Sequence, residues 1–163
     1  YNFNSKVFTD KSVENFLWIG FIRIFFPNSK IILTERNAKD ICWSLYKINF
    51  KNRFMNFTYN QKDISNFYNS YLELVEFWKK LFLEDIYIAK YEKLVEEPKI
   101  EIKKIINFCD LEWDSNCLRH DNNKSAINTA SINQARKPIY KSSKNISENY
   151  SKYLEEMFGL LKI

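Results

Sequence analysis

The sequence predicts an α/β domain in which a parallel sheet is flanked by helices. Two short apolar runs rich in β-branched residues, 31–34 and 86–91, lie between turn signals and are typical of strands covered on both faces. Around them, apolar residues recur at helical spacing, which gives the order helix, strand, helix, helix, strand. Because parallel strands need a long crossover connection, this order favours parallel pairing.

The composition is that of one folded domain, and it limits the expected partners. Of the 163 residues, 45% are hydrophobic and 17% aromatic, which excludes a disordered chain. The net charge of +5 comes from basic residues interspersed with acidic ones, which suits a small anionic ligand at least as well as nucleic acid. We expect no nucleic-acid partner. The three cysteines have no paired spacing, so neither a disulfide framework nor a metal site is expected. The longest apolar run, 16–26, is too short to span a bilayer, so we expect no membrane segment.

The first elements are predicted to be a short strand and a helix. Residues 7–11 have the composition of a strand that ends with Asp10 and Lys11, and Ser12 is placed to cap the next element. That element is predicted to be a helix over 12–26, because apolar residues recur at helical spacing until Pro27 ends the pattern.

Later helices are predicted from longer stripes and from capping residues. Residues 49–61 are polar and aromatic without a period and are predicted to form a loop. A long helix is predicted over 64–82, another begins at Pro98, and the last is capped by Ser147. Between 112 and 145 the chain loses periodicity and is expected to be irregular.

The segment 30–44 is the strongest candidate for a binding site. It is predicted to form a strand, a turn carrying Arg36 and a helix, capped by Asn37, that carries Ser44. Ligands of open α/β sheets lie at such strand-to-helix turns, where free amides, a guanidinium and a hydroxyl together suit a phosphate. The sequence therefore predicts a phosphate site, although a surface Arg beside a surface Ser explains the spacing at least as well.

Three further features carry groups that suit chemistry. Lys11 lies at the end of the predicted first strand, where a solvated side chain is the ordinary alternative. Lys137, Lys141 and Lys144 form a basic, hydroxyl-rich tract that suits phosphates but also suits a solvated loop. His120, the single histidine, is expected at the surface rather than as a general base, because no nucleophile is positioned beside it.

Six segments taken in order resemble the sulfotransferases that use 3'-phosphoadenosine 5'-phosphosulfate (PAPS). They are TDKSVENF at 9–16, FPN at 26–28, IILTERNAKDICWS at 31–44, KYEKLV at 90–95, FCDLEW at 108–113 and TASINQARKPIYKSS at 129–143. The resemblance covers nearly the whole chain and is greatest to a bacterial branch often joined to tetratricopeptide repeats and related to tyrosylprotein sulfotransferases. It implies a P-loop-NTPase-like fold, PAPS as co-substrate without a metal, and a hydroxyl acceptor on a peptide, a sugar or a small molecule.

The resemblance also implies roles for individual residues. Arg36 and Ser44 match the pair that binds the 3'-phosphate of the nucleotide, and Tyr91 matches a tyrosine beside that nucleotide. The catalytic matches are Lys11 and Ser131, which would face the transferring sulfuryl group. The late basic segment that closes over the phosphates is matched by Lys137 and Lys144.

Some parts of the family pattern have no match here. The family's Gly/Ser/Thr-rich phosphosulfate loop precedes the Thr-Asp-Lys segment, whereas the two glycines here, Gly20 and Gly159, lie in helical patterns. The glutamate base of tyrosylprotein sulfotransferases also has no counterpart. Ala38, Asp110 and Glu112 replace a common proline, glycine and proline, which alters turns more than chemistry. We therefore expect residues 1–163 to be one partial sulfotransferase domain that lacks the family's first strand and its phosphosulfate loop.

On this basis we expect the chain to supply the 3'-phosphate site and part of the catalytic site of a PAPS-dependent sulfotransferase, and to be inactive alone. The alternative is a non-catalytic nucleotide-binding fragment or a degenerate relative. A P-loop kinase relative is disfavoured because the sequence contains no Walker lysine. The resemblance implies the bacterial cytoplasm, or the lumen of the secretory pathway if the source is eukaryotic.

Overall fold

The centre of the fold is a parallel pair of strands. The computed structural model describes residues 7–50, 53–122 and 137–163. In this part of the chain, β1 (Ile31–Glu35) pairs with β2 (Ile86–Lys90), and the register joins Ile31 to Ile86 and Glu35 to Lys90. Parallel pairing through a helical crossover is therefore confirmed. Because the strands are in register, their carboxyl ends lie side by side.

The helices that accompany this pair differ widely in length. The described α-helices are α1 (Ile19–Phe25), α2 (Ala38–Tyr46), α3 (Gln61–Leu81), α4 (Tyr91–Glu96), α5 (Pro98–Phe108) and α6 (Glu155–Leu160). Short 3-10 helices lie at Val13–Leu17, Arg53–Tyr59, Ser115–Leu118, His120–Asn122 and Ile146–Tyr153. In the described ranges, no helix is both long enough and apolar enough to cross a bilayer.

The helix that follows β1 begins where the sequence predicts. The Asn37 side chain accepts a hydrogen bond from the amide of Asp40 at 3.2 Å, so it caps α2. Asn60 caps α3 in the same way through the amide of Asp63, at 3.1 Å. Pro98 is the first residue of α5, where its missing amide donor has no cost. The turn that carries Arg36 is therefore followed by a helix with a capped amino terminus.

Helix α3 joins the two parts of the hydrophobic core. Near the start of the helix, Ile64 and Tyr68 pack in one cluster with side chains of α2 and of the carboxyl-terminal segment. Further along, Val75 packs in a second cluster that includes residues of α1 and of both strands. The buried members of the first cluster are Ala38, Cys42, Ile64, Tyr68, Leu154, Met157 and Leu161; those of the second are Ile19, Leu33, Val75 and Ile86.

The prediction of a strand over residues 7–11 is wrong. The Asp10 carboxylate accepts hydrogen bonds from both the amide and the hydroxyl of Ser12, each at 2.9 Å. Such local bonds compete with pairing into a sheet, and residues 7–12 have neither helical nor strand structure. Lys11 therefore lies in an exposed turn and not at the end of a strand.

The helix predicted over 12–26 is divided in two. A 3-10 helix ends at Leu17, and α1 begins at Ile19 after a turn at Trp18. Near this junction the indole of Trp78 donates a hydrogen bond to the carbonyl of Phe16 at 2.8 Å. A partner from α3 thus satisfies a backbone group beside the break.

Other boundaries also differ from the prediction. Ser147 does not cap the last helix; its amide bonds to a side chain of α2, and a 3-10 helix precedes α6. Residues 49–61, predicted as a loop, include the 3-10 helix Arg53–Tyr59. Tyr91, predicted as a strand residue, is the first residue of α4. Nor is β1 covered on both faces, because Ile32 is 39% exposed.

Replacing Gly20 by alanine should destabilise the fold. An added methyl carbon would lie 2.9 Å from a ring carbon of Trp78, whose indole is held by its hydrogen bond to Phe16. We expect a loss of about 1–3 kcal/mol in the free energy of unfolding, measured by urea denaturation. Gly159→Ala is the matched control, because nothing lies within 4 Å of the added carbon. It should be neutral or stabilising by up to about 1 kcal/mol; equal losses in both variants would contradict the close-contact explanation.

Stability should fall at alkaline pH. Burial raises the pKa of the Cys42 thiol, and mainly burial raises that of the Tyr68 phenol, in each case to about 12. In the unfolded chain these groups ionise near their ordinary values of 9.0 and 10.0, so folding loses stability as the pH rises from about 9 towards 12. In Cys42→Ala the decline should be shallower, as measured by denaturation at several pH values. Cys117→Ala, outside this cluster, is the control; an unaltered decline in Cys42→Ala would count against the thiol's role.

Candidate functional site

A cavity of about 150 Å³ lies where the two strands end. Three of the residues predicted to bind the nucleotide, Arg36, Ser44 and Tyr91, line this one cavity. The remaining lining residues are Lys47, Tyr140, Ser143 and Ile146. Two strand-to-helix turns, one helix face and a late segment of the chain therefore build the site together.

The register of the sheet brings Arg36 and Tyr91 together. Glu35 and Lys90 are the last paired residues of β1 and β2, and each candidate residue follows one of them directly. The guanidinium carbon of Arg36 lies 4.8 Å from the centroid of the Tyr91 ring, which is the geometry of a cation–π contact. The Glu92 carboxylate accepts a hydrogen bond from the amide of Asn37 at 2.9 Å and so connects the two turns.

Arg36 retains a hydrogen-bonding group without a partner among the described residues. One terminal nitrogen, Nη2, donates to the carbonyl of Ser143 and lies 3.5 Å from a carboxylate oxygen of Asp40. The Nε of Arg36 is buried and has no hydrogen-bond acceptor in the described ranges. Leaving such a donor unsatisfied costs about 1–3 kcal/mol.

One face of α2 supplies a hydroxyl and a second cation. Ser44 lies one turn after Asp40, and Lys47, the residue that caps the helix end, lies three residues after Ser44. These spacings place all three on one face of the helix. Lys47 was missed by the sequence reasoning, although its spacing from Ser44 could have indicated it. Tyr140 was also missed, and within its irregular tract no spacing distinguishes it.

The late segment is attached to α2 through Asp40. This side chain is fully buried, and its two oxygens accept hydrogen bonds from the amides of Asn145 at 2.8 Å and Ser147 at 2.9 Å. Asn145 has a φ of 56°, in the left-handed region that asparagine adopts more readily than most residues. The attachment brings Ser143 and Ile146 into the lining of the cavity that also contains Arg36.

The other predicted residues lie outside the cavity or outside the described residues. Lys144 forms an ion pair with Glu96, and this pairing lowers the pKa of the Glu96 carboxyl. Lys137 is exposed, and its carbonyl lies 3.0 Å from the Nε2 of the exposed His120. Lys11 is exposed and does not line the cavity. Ser131 falls in 123–136, outside the described residues.

A larger cavity, of about 390 Å³, lies beside the segment that contains Pro138 and Ile139. None of the residues predicted to bind a ligand lines it. The rest of its lining comes from α5 and the 3-10 helices after it, namely Pro98, Lys99, Leu118, Arg119, Asp121 and Asn122. In the described part of the chain, no group of three or more His, Cys, Asp or Glu residues could hold a metal ion.

Comparison with known proteins decides the family. Residues 2–115, more than half of the chain, match the family model described as the sulfotransferase family. The chain belongs to the sulfotransferase family. The family predicted from the six segments is therefore confirmed.

The sulfotransferase chain is also similar to longer proteins. It is 37% identical over 155 residues to an uncharacterized protein of Aquifex aeolicus (strain VF5). This alignment covers 94% of this chain and 20% of the relative. A Caenorhabditis elegans protein, provisionally named a protein-tyrosine sulfotransferase, is 33% identical over 107 residues, covering 64% of this chain and 40% of the relative. A Caenorhabditis briggsae protein of the same provisional name is 29% identical over 109 residues, covering 64% of this chain and 37% of the relative. The chain thus spans about a fifth to two-fifths of the length of these curated relatives.

Proposed function

We propose that this chain supplies the nucleotide 3'-phosphate site, and part of the catalytic site, of an enzyme that transfers a sulfuryl group from PAPS to a hydroxyl acceptor. The observation that carries the proposal is the convergence of Arg36, Ser44 and Tyr91 on one cavity at the carboxyl end of the parallel strands. Residues distributed over more than 50 positions of sequence meet at the edge where open α/β sheets bind ligands. The parallel pair would belong to a P-loop-NTPase-like sulfotransferase domain, of which this chain is a part.

The size of the cavity suits one phosphate group rather than a whole nucleotide. Its volume of about 150 Å³ is below the roughly 300 Å³ at which pockets enclose small-molecule ligands. Around it are a guanidinium, an exposed ammonium at Lys47 and hydroxyl groups at Ser44 and Tyr140. The nearby carboxylate of Asp40 is occupied by backbone amides, so the cavity is rich in donors for an anion.

Arg36 would anchor the nucleotide at a distance from the reaction. Its planar fork suits a phosphate, and the Tyr91 ring beneath the guanidinium keeps the fork in place. Binding energy gained at this remote end orients the reacting end of the nucleotide. Loss of the anchor is therefore expected to weaken nucleotide binding before it affects the chemical step.

The chemical step would be assisted by Lys11 and Ser131, as the family resemblance implies. In sulfuryl transfer the bond between sulfur and the 5'-phosphate oxygen breaks, a bond from sulfur to the acceptor oxygen forms, and the acceptor's proton passes to a general base, which the resemblance does not assign in this chain. Negative charge builds on the departing 5'-phosphate oxygen, so a cation and a hydroxyl aimed there stabilise the transition state. The names of the two Caenorhabditis relatives make a peptide tyrosine the first acceptor to test, followed by sugars and small alcohols.

A second candidate is nucleotide binding without catalysis. It is favoured by one observation: the described cavity contains the groups that suit a 3'-phosphate and does not include Lys11. In that case a fragment or a degenerate relative keeps the 3'-phosphate site alone. Binding of 3',5'-adenosine bisphosphate is common to both candidates, whereas an effect of Lys11 on turnover distinguishes them.

Replacing Arg36 by alanine should weaken binding of 3',5'-adenosine bisphosphate by roughly 10–100-fold. The expected loss corresponds to about 1.5–3 kcal/mol for hydrogen bonds to a charged group. Calorimetry measures it, and 5'-AMP, which lacks the 3'-phosphate, should bind both forms equally. Arg53→Ala removes the same charge at an exposed position and is the matched control. If the folded protein binds the two nucleotides equally, the 3'-phosphate assignment is wrong.

In the longest natural chain that contains these residues, Lys11→Ala should slow turnover by roughly 100-fold. The physical reason is the loss of a cation that stabilises the departing nucleotide. Transfer from PAPS to a tyrosine peptide measures the rate. Lys80→Ala, on the exposed end of α3, is the charge-matched control. An unchanged rate in Lys11→Ala would remove this residue from the catalytic site.

A further inference from the structure

Asp40 combines complete burial with partners from distant parts of the chain. It lies four residues after Arg36, in the first turn of α2, and its side chain is 0% exposed. Its oxygens accept from the amides of Asn145 and Ser147, more than 100 residues away, while Nη2 of Arg36 lies 3.5 Å from one of them. A buried carboxylate is costly unless charged and hydrogen-bonded partners compensate it, and here both kinds are present.

The groups held by Asp40 belong to the cavity. Asn145 and Ser147 lie on either side of Ile146, which lines the cavity. Ser143, two residues before Asn145, also lines it. The carbonyl of Ser143 accepts a hydrogen bond from the guanidinium of Arg36. The carboxylate therefore contacts both walls, the one that carries Arg36 and the one formed by 143–147.

We propose that Asp40 is a positioning residue for binding of the nucleotide 3'-phosphate. It holds the 143–147 segment against α2, and it fixes the guanidinium of Arg36 between that segment and Tyr91. This inference rests on the proposed function, because it assigns Asp40 a part in that same phosphate site. Asp40 acts through Arg36 and the 143–147 segment, and it does not contact the nucleotide.

The sign of the effect on affinity distinguishes positioning from simple electrostatics. A negative charge beside Arg36 opposes an incoming phosphate, so its removal alone would tighten binding of an anion. If Asp40 positions the walls, its replacement instead weakens binding, because the cavity loses its shape and Arg36 its orientation. The two explanations thus predict opposite changes.

Asp40→Asn is the first variant to test, because it keeps the size of the side chain and one acceptor oxygen. We expect at least a tenfold weaker affinity for 3',5'-adenosine bisphosphate by calorimetry, with the affinity for 5'-AMP unchanged. Combined with Arg36→Ala, the loss should be less than the product of the two single losses, because Asp40 acts partly through Arg36. Unchanged or tighter binding of the bisphosphate in Asp40→Asn would overturn the inference, as would fully independent losses.

Hydrogen exchange of the free protein provides a second readout that needs no ligand. In Asp40→Asn the amides of Asn145 and Ser147 should exchange faster than in the wild type, relative to amides of α3. Asn69→Ala is the matched control, because the buried Asn69 side chain also joins two distant backbone groups, the carbonyl of Leu160 and the amide of Lys162, each at 2.9 Å. It should lower stability without changing the affinity of the folded protein.

The possible outcomes distinguish failure of this inference from failure of the proposed function on which it rests. If the wild type does not distinguish 3',5'-adenosine bisphosphate from 5'-AMP, the proposed phosphate site fails, and the role of Asp40 fails with it. If the wild type does distinguish them and Arg36→Ala abolishes the difference, while Asp40→Asn binds and exchanges as the wild type does, only the positioning role fails.

Discussion

The parallel pairing of β1 with β2 is the constraint on which the rest of the structure depends. It aligns the last residues of the two strands, Glu35 and Lys90, so that the helices α2 and α4 start beside each other. An antiparallel pair would send these turns to opposite ends of the sheet. Arg36 and Tyr91 can therefore form their contact only because a crossover containing α2 and α3 makes the strands run in the same direction.

The second requirement is that the end of the chain returns to the same edge. Leu154 and Met157 pack with Ile64 in the cluster around the start of α3. The buried hydroxyl of Ser65 donates to the carbonyl of Met157 at 2.8 Å, which fixes the direction of this return. Apolar burial thus stabilises the packing of residues 154–161 against α3, and the hydrogen bonds to Asp40 fix the position of the 140–147 segment beside α2.

Most of the local structure could be predicted from the sequence, because it depends on neighbouring residues. The apolar stripe of α3 follows from periodicity, the start of α2 from the capping side chain of Asn37, and the two short strands from apolar runs rich in β-branched residues. Arg36, Ser44 and Tyr91 were grouped by family resemblance, and the parallel register explains why they meet. The family resemblance itself was carried by several ordered segments, none of which is specific alone.

What could not be predicted depends on partners far away in the chain. In the sequence, Asp40 has the spacing of an ordinary i,i+4 partner of Arg36. The two backbone amides that donate hydrogen bonds to it belong to residues more than 100 positions away, so no local pattern indicates them. Tyr140 reaches the cavity only through that return. The break at Trp18 is accompanied by a hydrogen bond from Trp78 on another helix, which no local pattern contains. Where local prediction failed at residues 7–11, a two-residue hydrogen-bonded turn competed with strand formation.

The long sequence separation between Asp40 and its amide partners has a consequence for synthesis of the chain. Domains fold largely as units while the ribosome proceeds from the amino terminus. The strand-to-helix turns at Arg36 and Tyr91 can form before residues 143–147 are made, since their contacts are with elements that precede this segment. The cavity, in contrast, needs Ser143 and Ile146, which are synthesised more than 50 residues after Tyr91. A chain interrupted between these two points would thus keep its paired strands and lack the complete cavity.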